Sequence, residues 1–179
     1  MLIEHAKSVL LLIDLQEKLM PAMIEPDRLA RQIGILLAAA RQLSVPVVAS
    51  EQYPAGLGPT VGPIVRELQQ SEIFTKTEFS CHANPVLRRR LESAGEHVVI
   101  AGIEAHVCVL QTALDLRAAG RSVFVVADAV SSRRPDSREI ALQRLVASGV
   151  TLVSVEMVLF EWLRRADRPE FRPVSRLIR

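Results

Sequence analysis

Cysteine is scarce in this sequence, with only Cys81 and Cys108 among 179 residues, and the two do not form a C-x-x-C pair. This scarcity excludes a disulfide framework and the common cysteine motifs for zinc. We interpret both residues as free thiols in a reducing compartment, and we expect the cytoplasm. The first residues, M-L-I-E-H-A-K, lack the basic start and cleavage site of a signal peptide. Because no apolar run reaches about 18 residues, no membrane span is expected.

The usual phosphate-binding motifs are missing as well. No G-x-G-x-x-G follows the first apolar run, and no G-x-x-x-x-G-K-[ST] occurs, so we expect neither a dinucleotide nor a nucleoside triphosphate. A large excess of one charge is also absent, since the formal net charge is only +2. The basic run Arg88–Arg90 falls in a helical pattern that is typical of a solvated face, and we expect no nucleic-acid partner.

What remains is an apolar chain in which strand and helix patterns alternate. Hydrophobic residues make up 49% of the chain and charged residues 23%, which indicates one globular domain over residues 1–179. Apolar runs predict six strands, at Ser8–Asp14, Val45–Ala49, Ile73–Thr75, His97–Ala101, Ser122–Ala127 and Val150–Val155. Helical spacing predicts helices at Pro26–Leu43, Ile64–Gln70, Pro85–Ala94, from near Cys108 to Gly120, at Arg138–Ala147 and at Glu156–Arg165. This alternation favours an α/β fold with one parallel sheet covered by helices.

The stretch from His97 to Leu116 organises the rest of the chain. It places Cys108 after the carboxyl end of a buried strand and at the start of a helical pattern. Unpaired N–H groups at a helix start favour a thiolate over a thiol and can hold a negative oxygen nearby. The sequence leaves two interpretations of Cys108 open, a nucleophile or a small buried residue in a βα loop.

Two charged residues also follow predicted strands. Asp14 ends the first apolar run, where open α/β sheets place their ligands, although it could instead cap the following turn. Lys76 follows the third strand, where it is either functional or simply solvated. Because the carboxyl ends of parallel strands share one edge, both side chains could converge with Cys108. A cation stabilises a thiolate, and a carboxylate can accept the thiol proton and return it to a leaving amine.

Two loops add further residues at this edge. Glu51–Val61 is rich in glycine and proline and contains the only tyrosine, Tyr53, so it is either a binding loop or surface turn structure. Cys81 and His82 precede the third predicted helix, Pro85–Ala94. Their adjacency in sequence does not place them in one site, and we expect structural or solvent-facing roles for both.

Three motifs in combination resemble the isochorismatase-like cysteine hydrolases, a group that includes nicotinamidases and N-carbamoylsarcosine amidases. They are D-L-Q after the first strand, K-T-E-F-S, and G-I-E-A-H-V-C-V before a helix. The loop E-Q-Y-P-A-G-L-G-P-T-V resembles the isochorismatase domain-containing subgroup. The resemblance spans most of the chain and implies a three-layer α/β/α sandwich around a six-stranded, mostly parallel sheet.

The resemblance also implies roles for individual residues. Asp14 is expected to be the general base, Lys76 its charge partner and Cys108 the nucleophile. A cis peptide is expected between Ile103 and Glu104, and the N–H groups of Glu104 and Cys108 are expected to form the oxyanion hole. The implied reaction is attack on a carbonyl, loss of ammonia or an amine to give a thioester, and hydrolysis by water.

The sequence departs from the nicotinamidases where their metal ligands lie. It has Ser50, Glu51, Gln52 and Tyr53 after the second strand, and no histidine occurs between His5 and His82. We therefore expect no metal and no other cofactor, and we do not expect nicotinamide as the substrate. The predicted substrate pocket consists of Leu15, Gln16, Gln52, Tyr53, Phe79 and His106.

The leading hypothesis is thus a metal-independent cysteine hydrolase acting on a small amide. A thiol-based redox or sensing protein is a second hypothesis, and a noncatalytic oligomeric binding module is a third. Small-molecule substrates and a homo-oligomer, a dimer or larger, are the expected partners. The tail, Pro169–Arg179, is expected to be a short docking helix or an oligomer contact.

Overall fold

A six-stranded parallel sheet forms the centre of the computed structural model, which describes residues 1–178. The strands lie in the order β3-β2-β1-β4-β5-β6, and each neighbouring pair is parallel. Their bounds are Ser8–Ile13 (β1), Val47–Gln52 (β2), Ile73–Lys76 (β3), His97–Ile103 (β4), Ser122–Ser131 (β5) and Thr151–Val153 (β6). This topology confirms the predicted α/β fold.

Helices cover both faces of the sheet. They are Pro26–Gln42 (α1), Pro54–Leu57 (α2), Gly62–Val65 (α3), Pro85–Ala94 (α4), Leu110–Ala118 (α5), Pro135–Ala147 (α6), Val155–Leu163 (α7) and Phe171–Arg176 (α8). Apolar side chains of α1, α7 and α8 share one core cluster, and those of α4, α5 and α6 share the other. The three predicted layers are therefore helix, sheet and helix.

The middle strands show why the apolar runs are continuous. In β1 the side chains of Leu10 and Leu12 enter one core cluster, whereas those of Val9, Leu11 and Ile13 enter the other. All five are at most 1% exposed, because successive side chains on a strand point to opposite faces and both faces are covered. The chain that leaves β1 is consequently fixed in position when it reaches the carboxyl edge of the sheet.

Strand β5 is longer than the sequence predicts. It continues to Ser131, so that Asp128, which follows the predicted strand Ser122–Ala127, lies inside the strand. The register between β4 and β5 shifts after Ile100, and such a bulge absorbs extra residues without ending the strand. Arg138 of α6 donates hydrogen bonds to the backbone oxygens of Ala127 and Val130. A helix in the next layer thereby satisfies strand carbonyls, which the local sequence pattern could not indicate.

The segment between β2 and β3 also differs from expectation. Glu51 and Gln52 belong to β2 rather than to the following loop, and that loop contains the short helix α2. The helix expected at Ile64–Gln70 is replaced by α3 and a 3₁₀ turn at Gln70–Glu72. A bidentate ion pair between Glu72 and Arg41, with both N···O distances 2.6 Å, holds that turn against α1.

The tail folds back on its own chain. Val174 of α8 is fully buried, and Phe171, Leu177 and Ile178 pack against the core cluster that contains α1 and α7. This packing agrees with a docking helix, while Arg179 lies outside the described residues. Among the residues described, no helix combines the length and apolar character needed to cross a membrane.

Candidate active site

The site lies at the carboxyl ends of β1, β3 and β4, where β2 lies between β3 and β1, and β4 pairs with the other side of β1. Asp14 directly follows β1 and takes a left-handed conformation with φ of 54°. Gly102 of β4 pairs with Ile13, and a Cβ atom at Gly102 would lie 2.2 Å from the Ile13 carbonyl oxygen. Only glycine fits at position 102. The backbone there has a φ of +126°, which residues with a side chain rarely adopt, and any Cβ atom would collide with the Ile13 backbone.

A buried ion pair joins the ends of β1 and β3. Lys76 Nζ donates to Asp14 Oδ2 at 2.8 Å, and the two side chains are 0% and 1% exposed. Lys76 Nζ also donates to Gln52 Oε1 at 2.6 Å, and Gln52 Nε2 donates to the backbone oxygen of Thr77 at 2.8 Å. The ammonium group is therefore held between the carboxylate of Asp14 and an amide that is itself fixed in orientation.

The environment of Lys76 keeps it charged. Burial alone would lower its pKa, but the nearby charge of Asp14, with smaller effects of Cys81 and Cys108, raises that pKa above its ordinary value. The site thus contains a permanent ammonium group at neutral pH. Such a cation can stabilise negative charge that develops on a neighbouring thiol.

Cys108 lies in a π-helical turn, Ala105–Val109, that joins β4 to α5. The residue is only 6% exposed. Burial raises the pKa of Cys108, the charge of Asp14 and a hydrogen bond to Asp14 raise it further, and the charge of Lys76 acts in the opposite direction. The raised pKa favours a protonated thiol in the resting site, against the helix start, which favours a thiolate. Asp14 is the carboxylate whose charge acts on this thiol.

The turn before Cys108 is tied to the loop that follows β5. The Ile103–Glu104 peptide is cis, at the position that the sequence resemblance implied. The Glu104 carboxylate accepts a 3.0 Å hydrogen bond from the Arg133 backbone N–H. His106 Nδ1 lies 3.0 Å from Ser132 Oγ, and its side chain is 27% exposed. These contacts fix the backbone on which the predicted oxyanion donors lie.

Three of the predicted pocket residues support the site from within. Leu15 is 2% exposed and packs in the core, and Gln16 is fully buried. Gln16 Nε2 donates to the backbone oxygens of Gln52 and Gly58 at 2.9 and 2.7 Å, and Gln16 Oε1 accepts from the Gln52 N–H at 2.7 Å. The amide groups of Gln16 and Gln52 are thus engaged in bracing the strand ends.

The other pocket residues are accessible. Tyr53 is 57% exposed. Its backbone N–H donates to the Lys76 carbonyl at 2.9 Å, so the backbone of Tyr53 lies beside that of the buried lysine. Phe79 is 53% exposed and lies three residues beyond Lys76. The rings of Tyr53 and Phe79, together with the partly exposed His106, are the members of the predicted pocket that a ligand can reach directly.

Ser50 contacts the site but was not among the predicted site residues. Its hydroxyl donates to Asp14 Oδ1 at 2.7 Å, and its carbonyl accepts from the Asp14 N–H at 3.0 Å. The sequence did contain a signal, because Ser50 follows the predicted strand Val45–Ala49 and therefore shares the edge with Asp14. Cys81, expected to be structural or exposed, is fully buried, and its thiol lies 3.5 Å from Ser50 Oγ.

Within residues 1–178, no group of three or more histidine, cysteine, aspartate or glutamate side chains is arranged to hold a metal ion.

Comparison with known proteins identifies close relatives of this chain. The sequence profile of the isochorismatase domain matches residues 8–157. Isochorismatase domain-containing protein 2 of Danio rerio is 42% identical over 173 residues, which cover 96% of this chain and 86% of the relative.

Solved structures give the same result. A structure described as the MAR1 ribonuclease from Caenorhabditis elegans has a TM-score of 0.94 and 38% identity, and covers 99% of this chain and 92% of its own. The YcaC gene product from Escherichia coli, described as an octameric hydrolase of unknown specificity, has a TM-score of 0.93 at 23% identity, with 99% and 89% coverage. The second likeness concerns the fold alone.

Proposed function

Because the chain belongs to the isochorismatase family, whose members are generally hydrolases, we propose that it cleaves the carbon–nitrogen bond of a small amide. The proposed enzyme is metal-independent, needs no cofactor and forms a thioester on Cys108. Asp14 is the general base and Lys76 the charge partner. The N–H groups of Glu104 and Cys108 are the proposed oxyanion donors.

One observation carries this proposal, namely the buried Asp14–Lys76 ion pair beside a buried thiol. An ion pair that only stabilises the fold does not require a thiol beside it. Burying two charges is also costly unless they are well paired. Here the carboxylate and ammonium satisfy each other at 2.8 Å, and the same carboxylate raises the pKa of the buried Cys108 thiol. Base, cation and nucleophile are the groups that acyl transfer through sulfur requires.

The first step forms the carbon–sulfur bond. As Sγ of Cys108 attacks the carbonyl carbon, its proton passes to Asp14 and the carbonyl π electrons move to oxygen. Two backbone N–H groups stabilise that oxyanion, and removal of one such donor typically costs about 100- to 1,000-fold in kcat. Lys76 remains protonated and offsets the negative charge that passes from Asp14 to the reacting atoms.

The second and third steps release the products. The tetrahedral intermediate collapses, the carbon–nitrogen bond breaks, and Asp14 gives its proton to the departing nitrogen, which leaves as ammonia or an amine. Asp14 then removes a proton from water as the water oxygen attacks the thioester. The carbon–sulfur bond breaks and the Cys108 thiol is restored by that proton, so the products are a carboxylic acid and the free enzyme.

Ammonia release tests the proposed reaction class. A panel of small primary amides and carbamoyl compounds is incubated with wild-type protein, and ammonia is measured together with the acid. The proposal expects at least one compound to give ammonia and acid in equal amounts over many turnovers. Chelator treatment should leave that rate unchanged. A rate that depends on added metal, or hydrolysis without release of nitrogen, would contradict it.

The resting thiol is expected to react slowly with alkylating agents. Since burial and Asp14 raise the pKa of Cys108, less of it is thiolate at about pH 7 than for a free cysteine. Iodoacetamide should therefore label Cys108 more slowly than a small-molecule thiol, with a rate that still climbs above about pH 9. Peptide mass spectrometry locates the adduct, and Cys108→Ala is the control. Rapid labelling with a plateau below about pH 8 would contradict the protonated resting state.

Ribonuclease activity is a second candidate, because one solved relative with 38% identity carries that description. Cleavage of RNA through its own 2′-hydroxyl would use Asp14 as base and Lys76 as cation but would not need the thiol. An oligoribonucleotide assay separates the two functions. RNA cleavage that persists in Cys108→Ala and disappears in Asp14→Asn would favour the ribonuclease. The amidase proposal expects that neither of these two variants cleaves RNA.

Redox sensing and a purely binding role are the remaining alternatives. Redox cysteines are exposed thiols of low pKa, whereas Cys81 and Cys108 are buried and their pKa values are raised. Ligand binding alone does not require a paired base and cation beside a thiol. Both observations favour the hydrolase.

Three further properties of the protein are proposed together with this function: its domain organisation, its location and its assembly. We propose one domain over residues 1–179, a cytoplasmic location suited to two free thiols, and assembly into homo-oligomers. Size-exclusion chromatography with light scattering measures the assembly. A monomer at micromolar concentration would contradict the last of these.

A further inference from the structure

The Asp14 carboxylate receives a separate donor on each oxygen. Lys76 Nζ binds Oδ2 at 2.8 Å from β3, and Ser50 Oγ binds Oδ1 at 2.7 Å from β2. Two donors on different strands fix the plane of the carboxylate as well as its position. Loss of either one would leave the group free to rotate about its Cβ–Cγ bond.

The Ser50 hydroxyl has a single hydrogen, and that hydrogen is committed to Asp14. Its oxygen can still accept, and the Cys81 thiol lies 3.5 Å away, within the range for a sulfur donor. Burial raises the pKa of Cys81 to about 11, although Lys76 acts to lower it, so the thiol remains protonated at neutral pH. Cys81 is therefore the donor to Ser50, and Ser50 is the donor to Asp14.

Cys81 is itself fixed by the helix that follows the nucleophile. Its backbone N–H donates to Thr112 Oγ1 of α5 at 2.9 Å, and both residues are fully buried. A continuous set of hydrogen bonds thus runs from α5 through Cys81 and Ser50 to Asp14. The helix that begins beside Cys108 and the carboxylate that faces it are connected by this route.

We propose that Ser50 and Cys81 are positioning residues that hold the Asp14 carboxylate in the orientation needed to receive the Cys108 proton. The inference rests on the proposed function, in which Asp14 is the base. Ser50 acts on the Asp14 carboxylate directly, and Cys81 acts on it through Ser50. With an amide substrate, Ser50→Ala should lower kcat by about tenfold to 100-fold with KM little changed, since small misplacements of catalytic groups have effects of this size.

Infrared spectroscopy of the thiol stretch tests the inference without any substrate. The chain has only two thiols, so any Cys81 substitution leaves the S–H band of Cys108 alone. Cys81→Ser retains a donor to Ser50, whereas Cys81→Ala removes it. We expect Cys81→Ser to show a narrow band at low wavenumber, as for a thiol bound to a fixed carboxylate. Cys81→Ala should shift the band upward and broaden it, and Ser50→Ala combined with Cys81→Ser should do so most strongly.

Ser80 provides the matched control. It is a buried serine beside Cys81, 4% exposed, and its hydroxyl has no hydrogen-bond partner among the described residues. Ser80→Ala combined with Cys81→Ser should leave the Cys108 band unchanged. Identical bands in Cys81→Ser and Cys81→Ala would overturn the inference, as would an equal shift in the Ser80 variant. The band reports the resting protein, so a failure to find amide turnover would count against the proposed function and not against this result.

Discussion

Replacing Cys108 with alanine is expected to abolish amide turnover, with kcat/KM falling at least about 10,000-fold. The nucleophile supplies the new bond in the proposed mechanism, and water cannot take its place in a site built around sulfur. Asp14→Asn is expected to cause a similar loss, because an amide cannot accept the thiol proton. The double variant should be hardly worse than either single one, since residues that act as a unit show non-additive effects.

Two controls make this result specific. Cys108→Ser keeps the shape of the side chain and tests whether sulfur itself is required. Ser80→Ala removes a buried hydroxyl that has no partner among the described residues, and it should turn over at the wild-type rate. Circular dichroism establishes that each variant is folded. Turnover by Cys108→Ala within about tenfold of wild type would refute covalent catalysis through this residue, because even a single general acid or base typically contributes about 100-fold or more.

Replacing Lys76 with methionine is expected to reduce the free energy of unfolding by about 3–5 kcal/mol. The substitution leaves the Asp14 carboxylate buried at 1% exposure without its counter-ion, and an unpaired buried charge is strongly destabilising. Removing both charges, with Asp14→Asn and Lys76→Met together, should recover much of the loss. Urea unfolding measures all three proteins. A Lys76→Met variant as stable as wild type would show that the pair is not held as described.

An exposed ion pair gives the matched control for stability. Arg28 and Glu25 lie 3.0 Å apart with both side chains 61% exposed. Arg28→Met removes the same kind of charge as Lys76→Met, yet surface pairs contribute only about 0–1 kcal/mol. The contrast between the two methionine variants therefore measures burial and not merely the loss of a positive charge.

The same pair sets the alkaline limit of stability. The pKa of Lys76 is raised in the folded protein, because burial lowers it but the charge and hydrogen bond of Asp14, together with Cys81 and Cys108, raise it further. A raised lysine pKa contributes stability that is fully present below the unfolded value of about 10.4 and is lost as pH rises through the folded value. Wild type should therefore lose stability above about pH 10 by a mechanism that is absent from the double variant.

Much of the fold and the core of the site could be predicted from the sequence because both follow from short-range patterns. Continuous apolar runs indicated buried parallel strands, and strand ends in one parallel sheet must share an edge. That reasoning was sufficient to bring Asp14, Lys76 and Cys108 together as candidates. The family resemblance then supplied their proposed chemistry, which the spacing of the residues could not.

The remaining features depend on contacts between distant parts of the chain. Gln52 was expected to line the pocket, but its amide is engaged with Lys76 and Thr77. The direction of the Cys108 pKa shift depends on burial and on Asp14, whereas the sequence showed only the helix start. Ser50 is a small polar residue at a strand end, and only the geometry identifies its hydroxyl as a donor to Asp14.

Intact-protein mass spectrometry tests the central claim most directly. The enzyme is mixed rapidly with an amide that it hydrolyses, and the reaction is quenched in acid. The proposed mechanism predicts an added mass equal to that of the acyl group, located on the Cys108 peptide and removed by hydroxylamine. The adduct should be absent from Cys108→Ala. Steady turnover with an adduct on Cys81 would contradict the mechanism. Steady turnover with no acyl group on Cys108 at any mixing time would also contradict it, provided that a control acyl-thioester protein survives the same quench.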